Sequence, residues 1–169
     1  MTNEPSEGQT AHDETEHEPD LTPTLKTAAE VRADLHLALI ETEDAIAAAA
    51  PGRFQEWTNA VLGALVHLHT AFHEHISQAE GDEGLYEEIM GREPRLRSDI
   101  TVLKNEHPQI LQAIHEPYNR LKDRAPEVHI PAEEIREEVT HALARITRHR
   151  QKGADLVWEA YFVDLGGMD

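Results

Sequence analysis

The chain has 169 residues, no cysteine, and 33 acidic against 15 basic side chains, for a net charge of −18. Its length suits one domain with a single sizeable core plus a tail, and the missing thiols exclude disulfides, thiolate metal sites, iron–sulfur clusters and a cysteine nucleophile. The negative charge argues against a nucleic-acid backbone or an anionic membrane surface as partner and is compatible with cation binding. No apolar run approaches the roughly 20 residues that span a bilayer. The acidic, polar N-terminus is unlike a secretory signal, so a cytoplasmic location is expected.

Residues 1–23 carry seven acids, no Lys or Arg and almost no apolar side chains. Such a segment cannot bury enough surface to offset its ordering entropy, and it is read as a disordered acidic tail. Residues 24–165 are expected to fold as one helical bundle, with 166–169 a short C-terminal tail.

The first helix is predicted from about Leu25 to Ala50, stopping at Pro51-Gly52. Two stripes compete for its inward face: His36, Leu39, Ile40, Glu43 and Ala47, or Leu35, Leu39, Thr42 and Ile46. His36 is taken as an inward residue at the edge of a broad buried face.

The second helix is predicted from about Arg53 to Ala79, ending near Gly81 and Gly84. One stripe is Val61, Leu65, Leu68, Phe72, His75 and Ala79; the other is Leu62, Val66, His69, His73, Ile76 and Glu80. They lie about 100° apart around the axis. The first is the more apolar and places His75 inside. The second sets His69 and His73 four residues apart, a spacing with which two imidazoles can grip one metal; its plainer reading is a polar flank facing water.

The third helix begins near Pro94 and ends by Pro117 or shortly after. Its apolar steps are Leu96, Ile100, Leu103, Ile110 and Ile114, with His107 in the remaining slot. Pro108 follows that histidine, and because the stripe passes without a phase break, a kink is expected in preference to a fresh helix start. The fourth helix opens at Pro131 with Glu133 and Glu134 in its first turn and runs to about Val163. Its stripe is Ile135, Val139, Ala142, Ile146, His149, Gly153, Leu156 and Ala160. No strand signal is present. Long helices with short connections predict an all-α, antiparallel up-down-up-down four-helix bundle.

His107 and His149 therefore stand in core slots that leucine would ordinarily fill. A buried imidazole needs a partner for each nitrogen. Two of them facing one interior suggest a shared metal, and hydrogen-bonded core histidines are the alternative. No nucleophile elbow, phosphate loop or dinucleotide fingerprint occurs.

The segments His75-Ile76-Ser77-Gln78-Ala79-Glu80-Gly81-Asp82-Glu83-Gly84-Leu85-Tyr86, Pro94-Arg95-Leu96 and Leu103-Lys104-Asn105-Glu106-His107 resemble the hemerythrin-like cation-binding family. The resemblance spans roughly residues 30–163. It implies an antiparallel four-helix bundle holding a non-haem iron pair by histidines and a few carboxylates, for handling dioxygen or a related small oxidant or for iron sensing. Carried over by position, it implies His36, His75, Glu80, His107 and His149 as metal residues. The chain departs from the pattern where Ala79 stands four residues after His75, and where Gly153 and Ala154 follow His149 in place of an acid. Two ferrous ions bring +4, and a desolvated site needs carboxylates to neutralise that charge. A single ion held by three or four histidines and Glu80 fits the inventory better, with zinc or manganese as alternatives to iron. Its affinity is expected to fall as pH drops through about 6, since histidine binds metal only when neutral. The functional expectation is a metal protein binding dioxygen or a similar oxidant; the alternatives are a metal-binding sensor or store without redox turnover, and a metal-free interaction bundle.

Overall fold

Thr22 opens the first helix: its hydroxyl oxygen accepts the Leu25 backbone N–H at 3.2 Å, and Pro23 follows in the first turn. Both are favoured helix starts, one satisfying an orphan donor and the other preset in φ. The computed structural model describes residues 22–124 and 130–163. The expected acidic tail therefore lies almost wholly outside the described residues, as does the tail at 166–169.

Helix α1 spans Pro23–Ala47, three residues short of the expected end, because Ala48 is already extended ahead of the turn at Pro51-Gly52. Gly52 takes a φ of +72°, a conformation that favours glycine. The buried face of α1 is Leu35, Leu39, Thr42 and Ile46 with Ala28 and Ala38. Thr42 can join it because its hydroxyl donates to the Ala38 carbonyl at 2.7 Å. His36, Ile40 and Glu43 are exposed, which corrects the inward placement expected of His36.

Helix α2 spans Phe54–Glu80 and turns its Val61, Leu65, Leu68, Phe72, Ala79 stripe to the core, with His75 half-buried on it. A short helix not anticipated from the sequence, α3 (Leu85–Arg92), follows and buries Leu85, Tyr86 and Ile89. The turn before it requires Gly84, where an added Cβ would stand 2.7 Å from the Gly81 carbonyl and 2.8 Å from that of Gln78. A 3₁₀ turn at Pro94–Leu96 leads into α4 (Arg97–Lys122), which runs unbroken through Pro108 and Pro117, so no fresh helix begins at His107. Helix α5 spans Ala132–Phe162 with Glu133 and Glu134 in its first turn.

Among the described residues the fold is all-helical, and its four long helices pack together: α1 on α2, α2 on α4, α4 on α5 and α5 on α1. The core comes in two apolar clusters. The larger holds Leu35, Leu65, Phe72, Ile110, Ile114, Ile135 and Ile146 among others. The smaller holds Ala28, Ala79, Tyr86, Ile89, Ile100, Leu103 and Leu156 among others. Between the buried residues of the two clusters lie His75 on α2 (between Phe72 and Ala79), His107 on α4 (between Leu103 and Ile110) and His149 on α5 (between Ile146 and Leu156), with Arg32 among the residues between Ala28 and Leu35 on α1. No helix among the described residues is long and apolar enough to cross a membrane.

Candidate metal centre

Three of the four residues at that parting level are histidines, and their Nε2 atoms converge. His149 Nε2 lies 3.1 Å from His75 Nε2 and 3.2 Å from His107 Nε2. One donor nitrogen from each of the three lies within 4.8 Å of the others. For a metal–nitrogen bond of about 2.0–2.1 Å, neighbouring ligand atoms stand about 3.0 Å apart in octahedral and about 3.4 Å apart in tetrahedral geometry. The two observed spacings fall between those values.

The opposite ring edges explain why the nitrogens face inward. His107 Nδ1–H donates to Glu80 Oε1 at 2.5 Å, and His149 Nδ1–H donates to Glu106 Oε2 at 3.0 Å. With each Nδ1 proton assigned to its carboxylate, both Nε2 atoms carry lone pairs, and those lone pairs point at each other. A proton on His75 Nε2 could satisfy His149 but would leave His107 facing the same occupied nitrogen. A cation between the rings would satisfy the facing pair, with His75 close enough to join it. The arrangement therefore fits a metal ion better than a hydrogen-bonded core, and it has the carboxylate-to-histidine orientation that metal sites use to fix the ring and raise its basicity.

Each carboxylate also has a cation on its outer side. Lys104 Nζ lies 3.3 Å from Glu80 Oε2, and Lys152 Nζ pairs with Glu106 Oε1. Burial raises both carboxyls, yet the hydrogen bonds and charges of the lysine and histidine partners outweigh it and hold Glu80 and Glu106 below the usual range. Both stay ionised at neutral pH and accept from the rings.

Burial lowers the pKa of all three imidazoles. His75 falls to about 3 through burial, then through the charges of His149 and His107, then of Arg32 and Arg150. His107 is lowered by burial against the opposing pull of Glu80, and His149 by burial against Glu106. The rings are thus held neutral, the form that binds metal. Phe72, fully buried, lies edge-on to His107 and His149 at 5.8 and 5.9 Å between centroids and tilted to His75 at 5.6 Å. Tyr86 stacks on His107 at 6.2 Å. These rings shield the site from water on those sides.

Of the five residues singled out in the sequence, the structure brings His75, His107 and His149 to one point. Glu80 reaches that point through His107, its carboxylate occupied by the ring and by Lys104. His36 stands apart, its Nδ1 accepting from Arg150 Nη1 at 3.4 Å. On the other α2 face, His69 stacks on His115 at 4.6 Å and lies 5.7 Å from His73, all as ring centroids. His69 is lowered by burial and by the charges of His115 and His73. His67 pairs with Glu41 at 2.6 Å on the surface between α1 and α2.

Sequence reasoning missed Glu106, although it stands in the Glu106-His107 pair that carries the resemblance. Because it serves His149 on another helix, neither periodicity nor spacing along α4 could have revealed the contact. Tyr86 was missed with α3; Phe72 was read as core, and its rim position became visible only with the three rings around it. Compared with known proteins, the chain matches no family model, no curated protein and no solved structure.

Proposed function

We propose that this chain is a metal-binding protein that holds one divalent transition-metal ion between α2, α4 and α5 on the Nε2 atoms of His75, His107 and His149. The observation that carries this reading is the facing pair of lone-pair nitrogens at 3.2 Å, each ring locked from behind by a carboxylate. Three neutral imidazoles leave coordination positions for a small exogenous ligand. Following the hemerythrin-like resemblance, the helices run antiparallel up-down-up-down, the metal is non-haem iron, and the ligand is dioxygen or a related small oxidant. When bound, the ion would supply the redox chemistry. The chain's own residues orient it: Glu80 and Glu106 fix the two rings, and Phe72 and Tyr86 exclude water.

A second reading, metal sensing or storage without redox turnover, is favoured by one observation. The two nearby carboxylates are spent on histidines, so the nearest donors are imidazoles alone, a set that suits zinc as well as iron. Metal analysis and absorption spectroscopy of tag-free protein test both readings. One equivalent of iron with a visible band that appears on exposure to oxygen is expected from the first. One equivalent of metal without such a band selects the second, and absence of metal after loading refutes both.

A further inference from the structure

On α1, Arg32 lies between the buried Ala28 and Leu35, in the stretch where the two apolar clusters part. Arg32 and Arg150 are both half-buried, and neither forms an ion pair with any carboxylate among the described residues. That is notable in a chain whose acids outnumber its bases by more than two to one. Arg150 Nε is shut off from solvent with no hydrogen-bond partner, while its Nη1 donates to His36 Nδ1 at 3.4 Å. His36 lies one turn beyond Arg32 on the same side of α1. His36 thus has Arg32 one turn before it on α1 and Arg150 against it from α5.

Each of these features costs free energy as it stands. A buried donor lacks an acceptor, two like charges are held together, and a dication among the histidines would add to their repulsion. One small anion beside the two guanidinium groups offsets the two electrostatic costs, whereas the Nε, which has no accessible surface, stays inside. We propose that Arg32, Arg150 and His36 form a subsite for a small oxyanion of the carboxylate class, on the His75 side of the three-histidine centre. The planar guanidinium fork matches a carboxylate with two parallel hydrogen bonds, which a spherical anion cannot use. The inference rests on the metal reading for what the anion adjoins, whereas the uncompensated arginine pair stands without it.

The test is calorimetric titration of the full chain, metal-free and zinc-loaded, with acetate and formate, alongside the His36 ring-proton resonances. Saturable binding is expected, tighter in the zinc-loaded protein, with a shift of the His36 signals. Arg32→Gln and Arg150→Gln should each weaken acetate at least about tenfold, the loss expected of a charge-assisted pair. Zinc content should stay at the wild-type level. Wild-type affinity in both variants, or no binding by the wild-type chain in either state, overturns the proposal, as does a stronger response to phosphate than to acetate. Should a variant fail to fold, an unshifted His36 ring in wild-type protein at high acetate decides against it. Arginine-dependent binding by a chain that refuses zinc would sink the metal reading and leave this one; zinc uptake without anion binding would do the reverse.

Discussion

His107 and His149 face each other Nε2 to Nε2 across 3.2 Å, and neither ring is free to turn away. The carboxylate behind His107 comes from α2 and the one behind His149 from α4, so each ring is held by a helix other than its own.

Replacing one of the facing rings should remove the metal and leave the bundle. His107→Leu is expected to abolish stoichiometric metal uptake, measured by elemental analysis, with unchanged helical circular dichroism. The metal-free variant should melt no lower than the metal-free wild type, because leucine suits the slot between Leu103 and Ile110. Full metal content in this variant would move the ligands elsewhere, the His69, His73 and His115 face being the next place to look.

The carboxylates should matter for affinity more than for folding. Glu106→Gln and Glu80→Gln are each expected to weaken metal binding by about 10–100-fold, the usual cost of disturbing the partner behind a ligating histidine. Both side chains are partly exposed, so thermal unfolding of the metal-free protein should change little. Equal affinity in variant and wild type, measured with a competing chelator, would refute the orienting role.

Acid should destabilise the metal-free protein through these rings. Burial depresses the three pKa values, that of His75 to about 3, whereas an unfolded chain carries histidines near about 6.5. In that window the unfolded state binds protons that the native state refuses, so stability rises with pH and falls as pH drops below about 6.5. Denaturant midpoints at about pH 5 should lie below those at about pH 7.5, and His75→Leu should remove a large part of the difference. A difference untouched by that substitution would assign it to other groups. The same shifts imply that metal affinity of the folded chain persists to lower pH than the sequence alone suggested.

At the N-terminus, the boundary between dispensable and structural residues should fall at Thr22. Deleting residues 1–21 is expected to leave the melting temperature within about 1 °C, since the segment offers almost no apolar surface. Extending the deletion through Thr22, or making Thr22→Ala, removes the cap on Leu25 and the bond to Glu88 Oε1. That should cost about 1 kcal/mol, or about 2–4 °C. A large loss from the shorter deletion would show that the acidic segment contributes contacts of its own.

The parts of this molecule that repeat along one helix were legible in its sequence. The stripes of α4 and α5 are continuous and strongly apolar, so spacing alone places His107 and His149 inside. On α1 the two candidate stripes share Leu39 and are similarly apolar, and what separates them is a hydroxyl satisfied within its own helix at Thr42. Helix α3 escaped notice because eight residues with two glutamates and a glycine give too short a period to read. Glu106 escaped for a different reason: its partner is 43 residues away, and lateral placement across two helices leaves no trace in spacing.

The level at which the two apolar clusters part is joined by polar side chains more than by aliphatic packing. Above and below, apolar side chains join the helices; at that level the joint is three neutral imidazoles around Phe72, two of them held by carboxylates of other helices. Empty, it is the natural place for the helices to begin separating, and backbone amides on either side should exchange earliest among those of the long helices' interiors. Filled, the same belt becomes a clasp on three helices at once, and the cross-section that opens first becomes the one that opens last.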